Sequence, residues 1–287
     1  MITAADLGQR LSLRKLKREW RGACPACGYA AAFSVRAGEH GAALAWCASC
    51  QDQDGIEAAL NRVTAGAWKP PERPDQQSDP EQRAKKQAAA LRLWSGSAKV
   101  PGTLGERYLA QRGLATLSTS PALRFREDCY HPHSMRLPAV VAQVVDVDGR
   151  PVAVHRTYLD RSNARKTTHE PAKASLGPVW HAAVRLQPLE PGQPLVIGEG
   201  IETSASAGLM IGAPAWAAIS CGNLQYAMQL PPEATDIIIA TDKDDPGERA
   251  AQSAACRWQA EGRQVRIARP NGPGDFNHQL LWDAHHG

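Results

Sequence analysis

From Leu195 onward, apolar runs of four to six residues alternate with stretches of helical character, and that alternation leaves few architectures open. Strands are expected at 195–198, 215–219, 236–241 and 264–268, and helices at 201–211, near 223–229, at 246–261 and at 276–283. An alternation of this kind predicts an α/β arrangement in which a parallel sheet is covered by helices. In an open sheet of that type, residues just past the carboxyl ends of the strands converge on one edge. Glu199 follows the first strand, and Asp242, Asp244 and Asp245 follow the third. Asp242 and Asp244, two apart in an extended turn, can point the same way and form with Glu199 a nest of hard oxygens suited to Mg²⁺ or Mn²⁺. Gly200 and Gly247 free the backbone beside them and precede helices whose N-termini attract phosphate. Such a site supports phosphoryl transfer. The plainer alternative makes Asp242 and Asp245 turn formers and helix caps, and Glu199 an ordinary loop residue.

Seven cysteines fall into two sets. "CPAC" at 24–27 and "CASC" at 47–50 leave nineteen residues between the pairs, and each pair brings two thiolates from one tight knuckle to the same metal. Cys24, Cys27, Cys47 and Cys50 therefore complete a tetrahedral Zn²⁺ site, closed and structural, in a segment too small to fold unaided. The strand-like "AAFSVRAG" and "AALAW" between the knuckles make this a zinc ribbon. A redox CxxC is the competing reading, and the presence of two pairs argues against it. Cys129, Cys221 and Cys256 are expected to be buried thiols without a role.

A helix is expected over Asp6–Lys17 and another from about Gly55 to Val63. "KPPERPDQQSDP" cannot build a core and reads as a linker. Helices follow in "EQRAKKQAAALRLW" and in "LGERYLAQRGL", the latter ended by Gly113. From Leu137 the pattern turns strand-like, with a hairpin signal at Asp148-Gly149, and predicts a β-meander. Charge is segregated: residues 1–23 carry six basic side chains against two acidic, 150–185 seven against two, and 195–287 eleven acids against six bases. Basic surfaces beside an acidic centre suit a polyanion and divalent cations. No apolar run reaches eighteen residues and no secretory stretch opens the chain, so a cytoplasmic protein without membrane contact is expected.

"VIGEGIETSAS" followed by "IIIATDKDDPGERAA" resembles the Toprim domain, in which a strand-end Glu-Gly precedes an Asp-x-Asp-x-x-Gly turn, here Asp242 to Gly247. The order of zinc module, central region and Toprim segment is similar to bacterial-type DNA primases and their phage and plasmid relatives. "CPACGYAAAFSVRAG" and "WCASCQDQDGIEAAL" resemble the primase zinc domain. Two departures stand out: Cys27 occupies a place where many primase ribbons have histidine, and Glu202 and Thr203 stand where an aspartate usually follows the Glu-Gly. "GPGDFNHQLL" is similar to the last Toprim motif.

The resemblance implies a zinc ribbon over 1–66, a linker over 67–80, a mixed α+β basic subdomain over 81–190 and a Rossmann-like Toprim domain over 191–287. It implies synthesis of short RNA primers on single-stranded DNA from ribonucleoside triphosphates. In that reading Glu199 handles metal and acts as general base, Asp242 and Asp244 ligate the catalytic ions, and Asp275 is an outer metal contact. Arg156, Lys166, Lys173 and Lys243 would hold phosphates, and Tyr158 and Trp180 would stack bases. A replicative helicase or initiator protein is the implied partner. Because the chain stops soon after the Toprim motif, a compact primase of a mobile element is expected. The alternatives are a recombination-mediator-like DNA-binding protein, disfavoured by the roughly 145 residues between Cys50 and Leu195, and a Toprim nuclease.

Overall fold

Thr3 decides where the first helix begins. Its hydroxyl accepts from the Asp6 N–H at 3.2 Å while the Asp6 carboxylate accepts from the Thr3 N–H at 2.9 Å, a reciprocal cap that starts α1 (Ala4–Arg10). The computed structural model describes residues 2–17, 19–38, 43–47, 50, 53–69, 80–243, 245–272 and 274–286. The helix expected over Asp6–Lys17 is thus displaced and shorter: the chain turns at Ser12, whose φ is 51°, and Leu13 is buried after it. It then runs out as β1 (Arg14–Lys15), antiparallel to β2 (Trp20–Gly22). β3 (Phe33–Ala37) and β4 (Ala43–Cys47) complete an antiparallel sheet in the order β1-β2-β3-β4. α2 (Gln53–Thr64) follows. Leu7, Leu13, Phe33, Val35, Ile56, Leu60 and Trp68 share one buried cluster with the four paired cysteines.

The chain forms two compact units, the first made of residues 1–78 with 220–222 and the second of 79–219 with 223–287. Of the expected linker, residues 70–79 lie outside the described residues, whereas Trp68 is buried and its indole N–H donates to the Ala43 carbonyl at 3.2 Å.

In the second unit α3 (Pro80–Ser95) and α4 (Leu104–Gln111) precede a short 3₁₀ turn at Ala115–Thr119. Gly113, with φ of 69°, takes the left-handed conformation that ends the α4 segment. β5 (Leu123–His131), β6 (Met135–Val145), β7 (Pro151–Tyr158) and β8 (Lys173–Leu176) form an antiparallel meander in that order. The hairpin expected at Asp148-Gly149 joins β6 to β7, with the Gly149 N–H donating to the Asp146 carbonyl at 3.0 Å.

After β9 (Val184–Arg185) comes the alternating segment: β10 (Leu195–Gly198), α5 (Ile201–Ile211), β11 (Ala215–Ala217), β12 (Asp236–Ala240), α6 (Asp245–Ala260), β13 (Gln264–Ala268) and α7 (Phe276–His286). The sheet order is β13-β12-β10-β11-β9, parallel except at β9. β10 is buried at every position, the requirement of a strand covered on both faces. The helix expected near 223–229 is a π-helical turn at Asn223–Ala227. Among the described residues no helix is long and apolar enough to cross a membrane.

Candidate metal and phosphate site

β10 and β12 are neighbours in the sheet, in parallel register with Gly198 opposite Ala240. The residues that follow, Glu199 and then Asp242 two past Ala240, therefore leave the same sheet edge from adjacent strands. The turn that presents Glu199 is built closely. A β-carbon on Gly198 would stand 2.8 Å from the Ser204 hydroxyl and 3.2 Å from the Ala240 carbonyl. That hydroxyl accepts from the Gly198 N–H at 3.1 Å and donates to the Gly200 carbonyl at 2.7 Å, tying strand end to helix start. The Glu199 carbonyl accepts from the Ile219 N–H at 2.8 Å. Asp242 is half-buried, and the Thr203 hydroxyl donates to its Oδ1 at 3.3 Å. Thr203, which stands where the resemblance would put an aspartate, thus orients a carboxylate from the neighbouring strand. Asp244 lies outside the described residues.

Asp275 serves the fold directly, because its Oδ1 accepts from the His278 N–H at 2.7 Å and so caps α7. Lys243 is exposed and its ammonium donates to the Gly272 carbonyl at 3.2 Å.

Glu202, in the first turn of α5, is 6 % exposed. Its carboxylate pairs with the ammonium groups of Lys166 at 2.8 Å and Lys173 at 3.3 Å, and accepts from the Tyr108 hydroxyl. Burial pushes its pKa up, but Lys173 and Lys166 outweigh that and hold the carboxyl well below the usual range. Burial lowers the Lys166 ammonium, which Glu202 in turn supports. Burial, then the Glu202 charge, raises the Tyr108 phenol well above its ordinary value. Beside this cluster a cleft of about 480 Å³ is lined by Tyr108, Gln111, Arg112, Arg165 and Lys166. Three cations and no carboxylate among its lining residues give it a positively charged lining. Sequence reasoning passed over Tyr108 and Arg112, although their spacing of four residues on α4 puts both on one helix face.

Two expectations are corrected. Arg156 is 6 % exposed, and its guanidinium donates to the carbonyls of Tyr130, Ala174 and Ser175 at 3.0–3.2 Å. Tyr158 is fully buried and its hydroxyl donates to the Tyr130 carbonyl at 2.8 Å. Both side chains are turned into the protein, on a strand that α3 packs over and that alternation alone would leave to solvent on one face. Trp180, by contrast, is 37 % exposed.

Cys24, Cys27, Cys47 and Cys50 are buried, with all four sulfurs within 4.8 Å of one another. Among the described residues they are the one group of three or more such side chains gathered closely enough to hold a metal ion. Four thiolates at this spacing match the donor set of structural zinc and leave no open position. Cys129 and Cys221 are buried as expected, but Cys256 is exposed on α6.

Residues 194–283 match the model of the Toprim domain, and residues 84–186 that of a domain of unknown function (DUF7146). No curated protein matches the chain. Among solved structures, the chain is similar to the DnaG primase catalytic domain bound to single-stranded DNA, at 15 % identity and a TM-score of 0.50, over 72 % of this chain and 81 % of that one. The zinc-binding and RNA polymerase domains of Aquifex aeolicus primase align at 13 % identity and a TM-score of 0.46, over 98 % and 83 % of the two chains. The primase fragment of the bacteriophage T7 primase-helicase protein aligns at 15 % identity and a TM-score of 0.43, over 94 % and 97 %. The chain carries a Toprim domain behind a four-cysteine module, in a mixed α/β fold of the primase kind.

Proposed function

We propose that this chain is a primase-type nucleotidyltransferase, making short RNA primers on single-stranded DNA from ribonucleoside triphosphates. The observation that carries the reading is the departure of Glu199 and Asp242 from one edge of the Toprim sheet, in a unit that also holds the cationic cleft of Arg112, Arg165 and Lys166. The donors present fit a hard divalent cation, being carboxylates at the ends of adjacent strands, one of them oriented by Thr203. Bound there, Mg²⁺ or Mn²⁺ would neutralise phosphate charge and acidify the attacking hydroxyl.

Glu199 and Asp242 would hold such ions, with Asp244 as the further ligand implied by the Asp-x-Asp turn. The 3′-oxygen of the growing strand bonds to the α-phosphorus, the bond from that phosphorus to the bridging oxygen breaks, and pyrophosphate leaves. Glu199 takes the proton of the attacking hydroxyl. Arg112, Arg165 and Lys166 receive the phosphates, and exposed Lys243 adds a further cation for the polyanion. In this division of labour residues 1–66 hold template through the zinc ribbon, 67–80 are the linker, 81–190 supply the phosphate-binding subdomain and 191–287 the metal-binding Toprim domain. A helicase or initiator protein brings the enzyme to its template.

The test is to incubate the protein with single-stranded DNA, ribonucleotides and Mg²⁺ or Mn²⁺, beside Glu199→Gln and Asp242→Asn. Template-dependent oligoribonucleotides should form with the wild type and fall at least about a hundredfold in each variant. Strand scission in their place would make the protein a nuclease, and tight DNA binding without products a mediator.

A further inference from the structure

We propose that Glu202 is a positioning residue, holding the Lys166 and Lys173 ammonium groups as a fixed cationic pair beside Gly200 to receive a polyphosphate chain. The assignment rests on the nucleotidyl-transfer reading for the identity of its ligand. Its geometry stands apart from that reading.

Glu202 lies three residues, about one helical turn, beyond Glu199. The groups it gathers come from three separate places: Tyr108 on α4, Lys166 in the segment between β7 and β8, and Lys173 at the start of β8. The Lys173 ammonium stands 4.0 Å from where a β-carbon on Gly200 would lie, at the head of α5, a helix whose first residue has no side-chain cap. Lys166 spans both settings, since it binds Glu202 and also lines the cleft with Arg112 and Arg165.

One carboxylate facing two ammonium groups leaves the cluster with a net positive charge. A pair made for stability alone has no need of that imbalance, and buried ion pairs are weak sources of stability because desolvation consumes most of their attraction. The arrangement has a clearer consequence for binding. Each lysine stem carries a large rotamer entropy, and two unrestrained ammonium groups would repel. Glu202 settles both costs during folding, so a phosphate chain arriving at the helix head meets donors already in place.

The sign of the effect separates positioning from simple attraction. Removing the Glu202 charge raises the local positive potential, so attraction alone would tighten polyphosphate binding. Positioning requires the opposite. In calorimetric titrations of the zinc-loaded 287-residue protein with sodium tripolyphosphate, free of divalent cations, Glu202→Gln should weaken binding about tenfold. In a Lys173→Met background the same change should add less than about twofold, since the two act through one contact. With ribonucleotide as substrate, KM should rise about tenfold and kcat should move much less. Equal or tighter tripolyphosphate binding by Glu202→Gln, even with a lowered melting temperature, would reduce Glu202 to a structural ion pair.

If Glu202→Gln does not fold, Tyr108→Phe withdraws one hydrogen bond from the same carboxylate without changing any charge. It should weaken binding in the same direction by a smaller factor, and unchanged affinity would overturn the assignment. Glu202-dependent tripolyphosphate binding in a protein that makes no primers would retire the primase reading and leave this one standing. Primer synthesis with affinity indifferent to Glu202 would do the reverse.

Discussion

His155 sits on β7 beside the Glu202 cluster, 8 % exposed, its Nδ1 3.0 Å from the Ser175 hydroxyl oxygen. Burial first, then the Lys173 charge, pushes its pKa down to about 3 from an ordinary value of 6.5, with Arg156 and Lys166 adding to the depression and Glu202 opposing it. The folded chain therefore refuses a proton that the unfolded chain accepts. The stabilisation is fully present above about pH 6.5 and is lost as pH falls toward 3, at about 1.4 kcal/mol per pH unit from this one group. Urea unfolding of the second unit at pH 7.5, 6 and 5 should show this loss, and His155→Gln should lose less per pH unit. Parallel slopes would mean that the imidazole is charged in the native state. On the opposite face of β7, Arg156 and Tyr158 are buried and donate to backbone carbonyls, work that ties neighbouring strands of the meander together.

The elements around the site are held by their ends. α5 starts where the Ser204 hydroxyl bridges Gly198 and Gly200, and α7 starts where Asp275 caps His278. Aspartate and asparagine cap about equally well, whereas alanine costs about 1 kcal/mol. Asp275→Ala should therefore lower stability by about that amount, and Asp275→Asn should stay within about 0.5 kcal/mol of wild type while keeping its transfer activity. Thermal unfolding and primer synthesis measured on the same preparations check both statements. Activity lost by the asparagine variant at unchanged stability would restore the outer metal contact that the motif "GPGDFNHQLL" implies.

At the scale of the whole molecule, the two units draw their stability from different sources. The first surrounds its four cysteines with a small cluster, so that a metal held by them would couple to its folding; the second buries an extensive core around β10 and β12. Stripping the protein with a strong zinc chelator, or changing Cys47→Ser, should abolish the unfolding transition of the first unit and leave that of the second in place. A shift of both transitions together would show that the units fold as one.

Much of this organisation is written in local sequence. The strand and helix alternation after Leu195 and the doubled CxxC depend on spacing along the chain, and spacing survives without knowledge of the fold; the strands at 195–198 and 264–268 have the very limits their pattern predicts. Charge is different, because a lysine or arginine reads alike in sequence whether water, a carbonyl or a carboxylate finally meets it. Only tertiary packing turned Arg156 onto the carbonyls of Tyr130, Ala174 and Ser175, drew Lys166 and Lys173 onto Glu202, and left Arg112 and Arg165 to line the cleft. The backbone period is set by each residue's own stereochemistry, whereas the partner of a long charged side chain is set by which distant strand or helix happens to be folded against it.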